Sequence, residues 1–166
     1  KHLKKALKFT NFFSNFINAI WNEYGLMDLY TKKIIDLAAK IPFSERLRNP
    51  DVSTTKRTPI CGSRITIDMN ISNGKISKFG QKINACALGQ ASTTIVTRKI
   101  IGRSRVEIEE LLLTVENMLT SNGPIPKSPF SDYKALSPAK DYKNRHASIM
   151  LILHTIIDGF DKFGET

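Results

Sequence analysis

Two cysteines and three histidines are the residues of this 166-residue chain best suited to hold a metal or carry sulfur. Cys61 stands in Pro59-Ile60-Cys61-Gly62-Ser63, immediately before an alternating stretch, and Cys86 stands in Asn84-Ala85-Cys86-Ala87-Leu88, at a strand-to-helix junction. A hairpin brings its outer ends together, so two thiols that flank one become neighbours despite their separation along the chain. Free N–H groups and the positive dipole end of a helix start favour a thiolate. His146 offers a third donor, one turn before Ile149 and Met150 and so on the buried side of a last helix. Two thiolates and an imidazole at a helix end suit zinc or an iron–sulfur cluster, with one position left open. On spacing alone a second reading stands beside it: two buried cysteines behaving as small hydrophobes, because the short paired spacing of a zinc knuckle is absent. His154, among Leu151, Ile156 and Ile157, reads as a hydrogen-bonded core residue, and His2 as solvated. No Ser-His-Asp triad, phosphate loop or paired-carboxylate site can be argued, so the expectation is a carrier rather than an enzyme.

The elements that must position these groups follow from periodicity. Ile65, Ile67, Met69 and Ile71 alternate with Thr66, Asp68, Asn70 and Ser72, a strand with one wet face. Asn73-Gly74 is a strong hairpin turn signal, and Ile76 and Phe79, three apart, place a bulge or strand end on the return. A short helix is expected over residues 27–41, ended by Pro42, and from Phe43 to Pro59 a loop with at most one irregular edge strand. Leu88, Ala91, Ile95 and Val96 carry a helical stripe to Gly102, and Ser104 with Glu107 forms a capping-box pattern for the next helix. Residues 123–138, with Pro124, Pro126, Pro129 and Pro138, read as a stiff loop. A last helix is expected from about Asp141 to Phe160. A hairpin first and helices afterwards argue for an α+β fold rather than an alternating parallel one.

Apolar residues make up 41% and charged residues 24% of the chain, close to average globular usage, which excludes general disorder. The longest apolar run, Ile149 to Leu153, is far short of a membrane span. Residues 1–26 read as a basic amphipathic extension, with four lysines against Glu23 alone, and three readings compete for it. It docks on the domain, lies on a membrane or other surface, or is upstream sequence outside the domain of residues 27–166. Two cysteines are too few for a disulfide-stapled secreted fold, and no leader-like apolar region stands near the start, so a reducing cytoplasm is expected. The net charge of +10 motivates a reading of another class, a basic nucleic-acid-binding module. Against it, the aromatic residues are concentrated in the first segment and form no stacking platform on the strands. Lys140, Lys143 and Arg145 before His146, and Arg64 after Cys61, either lower thiol pKa values at the site or form a solvated face.

Pro59-Ile60-Cys61-Gly62-Ser63-Arg64, an alternating strand, a turn, and then Cys86-Ala87-Leu88-Gly89-Gln90-Ala91-Ser92 together resemble the NifU/IscU-like iron–sulfur cluster assembly scaffolds. That family carries a first cysteine in P-x-C-G-D, a second in G-C-A-x-x-x-A-S, and a third at the front of the last long helix. The resemblance covers residues 27–162, and the helix and proline-rich stretch after Cys86 are those of the longer, SufU-like branch. It implies a small antiparallel sheet with helices on one side. A 2Fe-2S cluster or iron, alternatively zinc, would lie at the exposed sheet end on Cys61, Cys86 and His146, with Ser63 a weak fourth ligand. A cysteine desulfurase would supply sulfur, and apo iron–sulfur acceptor proteins would receive the cargo. The rival within this likeness is a zinc-bound sulfur acceptor. Three positions depart from the pattern: Ser63 replaces the aspartate, Ala85 the glycine, and His146 takes the place matched to the third cysteine.

Overall fold

The alternating residues after Arg64 form the central strand of a three-stranded antiparallel sheet of order β1-β2-β3, with β1 Val52–Arg57, β2 Arg64–Ser72 and β3 Lys75–Asn84. The computed structural model describes residues 29–164. The chain parts into two compact units, Lys1–Thr31 and Lys32–Thr166, and every element below belongs to the second. The extension of residues 1–26 and His2 lie outside the described residues. Asn73 and Gly74 turn the β2–β3 hairpin with φ of 51° and 70°, and the pairing shifts between Asn70 and Ile71, the irregularity that the spacing of Ile76 and Phe79 predicts.

Four helices and a 3₁₀ segment complete the unit: α1 Lys32–Ala38, α2 Ala87–Thr97, α3 Arg105–Thr120, the 3₁₀ helix Ser131–Asp141, and α4 Lys143–Gly164. Ile65, Ile67 and Met69 of β2 are fully buried on the sheet face that α4 covers, with Met69 and Ile67 reaching Gly159. Helix α2 lies between α1 and α4 and is buried along nearly its whole length. Its hydroxyls are spent on neighbours: Ser92 donates to the Ile149 carbonyl at 2.6 Å and Thr94 to the Leu37 carbonyl at 2.8 Å. Ser104 and Glu107 form the complete reciprocal cap of α3.

Two stretches differ from expectation. Strand β1 is regular, paired residue by residue with β2 from Val52↔Met69 to Arg57↔Arg64. Its sequence, Val-Ser-Thr-Thr-Lys-Arg, hides it because a threonine, Thr54, takes an inward position and hydrogen-bonds Asp158 of α4. The proline-rich stretch is in part helical. Tyr133, Leu136 and Ala139 recur every third residue, which is the period of a 3₁₀ helix and aligns all three inward.

The segment after α1 crosses the other face of the sheet. Asp68, fully buried there, accepts from Arg46 Nη2 at 2.7 Å and from the Leu47 N–H at 3.0 Å. Its partner across the ladder is Gly80, where a Cβ would stand 2.5 Å from the Glu45 carbonyl oxygen and 3.0 Å from the Leu47 nitrogen. Backbone on both sides leaves nothing flexible to yield. Gly80→Ala is expected to cost about 1–3 kcal/mol in thermal unfolding, the usual price of overpacking.

Candidate functional site

The loop that joins β1 to β2 folds on itself before it presents a thiol. Thr58 N–H donates to the Ser63 carbonyl at 2.9 Å, and Ser63 N–H donates back to Thr58 Oγ1 at 3.0 Å. Gly62 turns the chain with φ +66°, a conformation glycine adopts without strain. Ile60 at the tip is 80% exposed, so one side of the loop faces solvent. Within this frame Cys61 Sγ lies 2.8 Å from Thr58 Oγ1, 3.3 Å from Ser63 Oγ and 2.6 Å from Ser148 Oγ of α4. Ser63 and Ser148 are themselves 3.0 Å apart.

Three hydroxyls around one sulfur decide its charge. Burial opposes ionisation of Cys61, but hydrogen bonds from Ser148, Ser63, Thr58 and the Ser63 backbone outweigh it and lower the thiol from 9.0 to about 6. No lysine or arginine takes part. Arg64 lies on the opposite sheet face, and Lys140 donates to Asn122 Oδ1 at 3.2 Å, so of the two readings of these cations the solvated one holds for both, and the donors to the sulfur are neutral. Since only the thiolate reacts, alkylation of Cys61 by iodoacetamide, followed peptide by peptide, is expected to fall as pH drops through 6. Ser148→Ala removes a donor to the anion and moves that midpoint upward.

Cys86 is the N-cap of α2 and partly exposed, with its carbonyl accepting from the Gln90 N–H at 2.9 Å. It comes to the same end of the sheet as Cys61. Arg64 pairs with Asn84 across the β2–β3 ladder, so each thiol lies a few residues beyond that shared rung. Gly89, in the first turn of α2, sits against Ser148: a Cβ there would stand 3.1 Å from its carbonyl oxygen and 3.6 Å from its Cβ. Ser148 thus touches both the Cys61 sulfur and the helix turn that Cys86 opens.

The expected set of Cys61, Cys86 and His146 is not assembled. Among the described residues no three His, Cys, Asp or Glu side chains are grouped to hold a metal. His146 is buried, but its Nε2 is directed at the Ala139 carbonyl, 2.9 Å away in the 3₁₀ helix. Residues two apart on a helix point about 200° from one another, given 3.6 residues per turn, so the face that carries Ser148 to Cys61 carries His146 away. His154, expected in the core, is exposed. Thr58 and Ser148 escaped the sequence reading. The signal for Ser148 is a serine immediately before the apolar run from Ile149 to Leu153, a buried polar group that needs a partner.

Three comparisons bear on this arrangement. No protein-family model matches the chain. The iron–sulfur cluster assembly scaffold protein IscU of Thermotoga maritima is 23% identical over 134 residues, which cover 81% of this chain and 94% of that protein. The N-terminal part of a nitrogen-fixing NifU-like protein from Brucella abortus superposes with a TM-score of 0.81 at 33% identity, over 86% of this chain and 99% of that one. The fold likeness extends to a SufU-type protein of the SUF system from Fervidobacterium islandicum, with a TM-score of 0.71 at 22% identity, over 80% and 96% of the two chains.

Proposed function

The chain belongs to the NifU/IscU-like family of iron–sulfur cluster assembly scaffolds, and from that premise we propose that it receives sulfur and iron at the Cys61 end of its sheet and passes the product on. The observation that carries the reading is the Cys61 sulfur held by three hydroxyls, 2.6–3.3 Å away, in a loop open on one side. The first step is sulfur transfer from the persulfide of a cysteine desulfurase. The Cys61 thiolate attacks the outer sulfur, a new S–S bond forms on Cys61, the donor's S–S bond breaks, and the donor thiolate leaves. The hydroxyls of Thr58, Ser63 and Ser148 hold the attacking anion in place.

Iron and sulfide are cargo here, with Cys61 and Cys86 the thiolates that hold them. Ser63, at the position of the family's aspartate, and Ser148 are weaker ligands, and they leave the cargo loosely held and ready for ligand exchange with an apo acceptor protein. Such a chain carries rather than turns over a substrate. Two free cysteines support a reducing, cytoplasmic setting, and among the described residues no helix is long and apolar enough to cross a membrane. For the zinc-bound acceptor, the described residues group no three His, Cys, Asp or Glu side chains that would hold a resident ion. The nucleic-acid module lacks aromatic residues on the open sheet face, where Ser53, Thr55, Arg57, Arg64, Thr66, Asn70, Lys78, Lys82 and Asn84 stand.

The test is anaerobic incubation with ferrous iron, cysteine and a cysteine desulfurase, then addition of an apo-ferredoxin. The proposal expects visible absorption on this chain that moves to the ferredoxin. A colourless chain that neither takes up iron nor accelerates ferredoxin assembly would sink it.

A further inference from the structure

The sheet face turned away from α4 gathers positive charge that the fold does not use. Arg57 and Arg64 are directly opposite across β1 and β2, and Lys82 of β3 is opposite Thr66, one inward-facing residue removed from Arg64's own rung with Asn84. Like charges directly opposite on a ladder destabilise it. All three side chains are exposed, and none is in an ion pair among the described residues. The one carboxylate that the three strands place on this face, Asp68, is fully buried and already engaged by Arg46 and the Leu47 N–H. Between them lies a cleft of about 290 Å³ lined by Arg46, Arg64, Thr66, Lys82, Ile83 and Asn84. Its polar lining is three cations, a hydroxyl and a carboxamide, which suits an anion.

We propose that this cleft binds acidic side chains of the cysteine desulfurase that delivers sulfur to this chain, a docking site separate from the thiol itself. The place supports a protein partner. Arg64 directly follows Ser63, and Asn84 stands two residues before Cys86, so a partner with carboxylates in the cleft has its body against the strand ends that carry both thiols. Charges so placed steer encounter and set orientation more than they add affinity. A single-stranded nucleic acid fits less well, because the face offers no ring for a base to stack on. The proposal rests on the scaffold reading for its partner, but its test does not.

Binding of fluorescent poly-L-glutamate at low salt, by anisotropy, is compared for the wild-type chain, Arg64→Glu/Lys82→Glu, and the distant pair Lys127→Glu/Lys134→Glu, which changes net charge equally. The expected result is a loss of about tenfold or more in the first variant, less than about twofold in the second, and a steep salt dependence in the wild type. Arg64→Gln/Lys82→Gln, which only neutralises, is expected to fall between. Equal losses in both reversal pairs overturn the proposal, since net charge alone then explains binding. So does a single-stranded oligonucleotide bound more tightly than poly-L-glutamate through the same two residues, or inorganic phosphate competing at the cleft as well as the polymer does. In a parallel arm, desulfurase-driven sulfur uptake falls in Arg64→Glu/Lys82→Glu while cluster formed from chemically supplied iron and sulfide is unchanged. Loss of both would point to the thiol end instead.

Discussion

Cys61→Ala is expected to stop desulfurase-driven sulfur uptake and to lower anaerobic cluster yield by at least about tenfold, with little change in folding. Sulfur transfer needs an anion, and Cys61 is the thiol the fold holds ionised near neutral pH, by hydroxyls on two separate elements. Loss of that sulfur strands no partner. Ser63 and Ser148 still hydrogen-bond each other at 3.0 Å, and Thr58 still accepts from the Ser63 N–H. The stability cost is therefore that of ordinary net hydrogen bonds, about 1 kcal/mol. A site kept only for protein contact gives the opposite result, an unchanged yield in Cys61→Ala, and iron and sulfide analysis of the purified variant distinguishes the two.

Ser148→Cys is expected to convert the site from a loose holder into a tight one. The Ser148 oxygen is already 2.6 Å from the Cys61 sulfur, against the helix turn that Cys86 opens. A sulfur there supplies the third thiolate that the described residues lack. Thiolates bind zinc and cobalt far more strongly than neutral hydroxyls do. Cobalt affinity is expected to rise on the order of 100-fold, equivalent to about 2.7 kcal/mol, with the intense charge-transfer absorption of a cobalt–thiolate site. The larger atom enters a fully buried position, so a folding cost of about 1 kcal/mol accompanies the gain. Ser63→Asp in the same chain adds an oxygen as the fourth ligand and is expected to tighten binding further. Unchanged cobalt affinity in Ser148→Cys would mean that Cys86 does not share the site.

The contrast between Cys61 and His146 shows how far the sequence could be read. The hairpin, its bulge, the capped third helix and the flanking positions of the two cysteines follow from local rules that act within a few residues, and all stand in the fold. The approach of Cys61 and Cys86 to one sheet end was legible because a hairpin leaves little choice. His146 was not, because a buried helix has more than one buried face. Apolar spacing showed that the start of α4 is covered, but not that the 3₁₀ helix covers one side and the thiol loop another. Strand β1 reads from the sequence as at most an irregular edge strand for a related reason: Thr54, at an inward position, satisfies its hydroxyl on Asp158, so polar residues line a buried edge. Lysines and arginines are conspicuous in a basic chain, either as groups that activate Cys61 or as a solvated face. Three small hydroxyls brought together by tertiary packing have no signature along the polypeptide.

The most direct test follows the sulfur itself. The chain is incubated with a desulfurase and cysteine in the absence of iron, quenched with iodoacetamide, digested and read by mass spectrometry. One added sulfur atom on the Cys61 peptide, diminished in Ser148→Ala at neutral pH, is the predicted result. An unmodified Cys61, with sulfur found on Cys86 alone or on neither thiol, would contradict it.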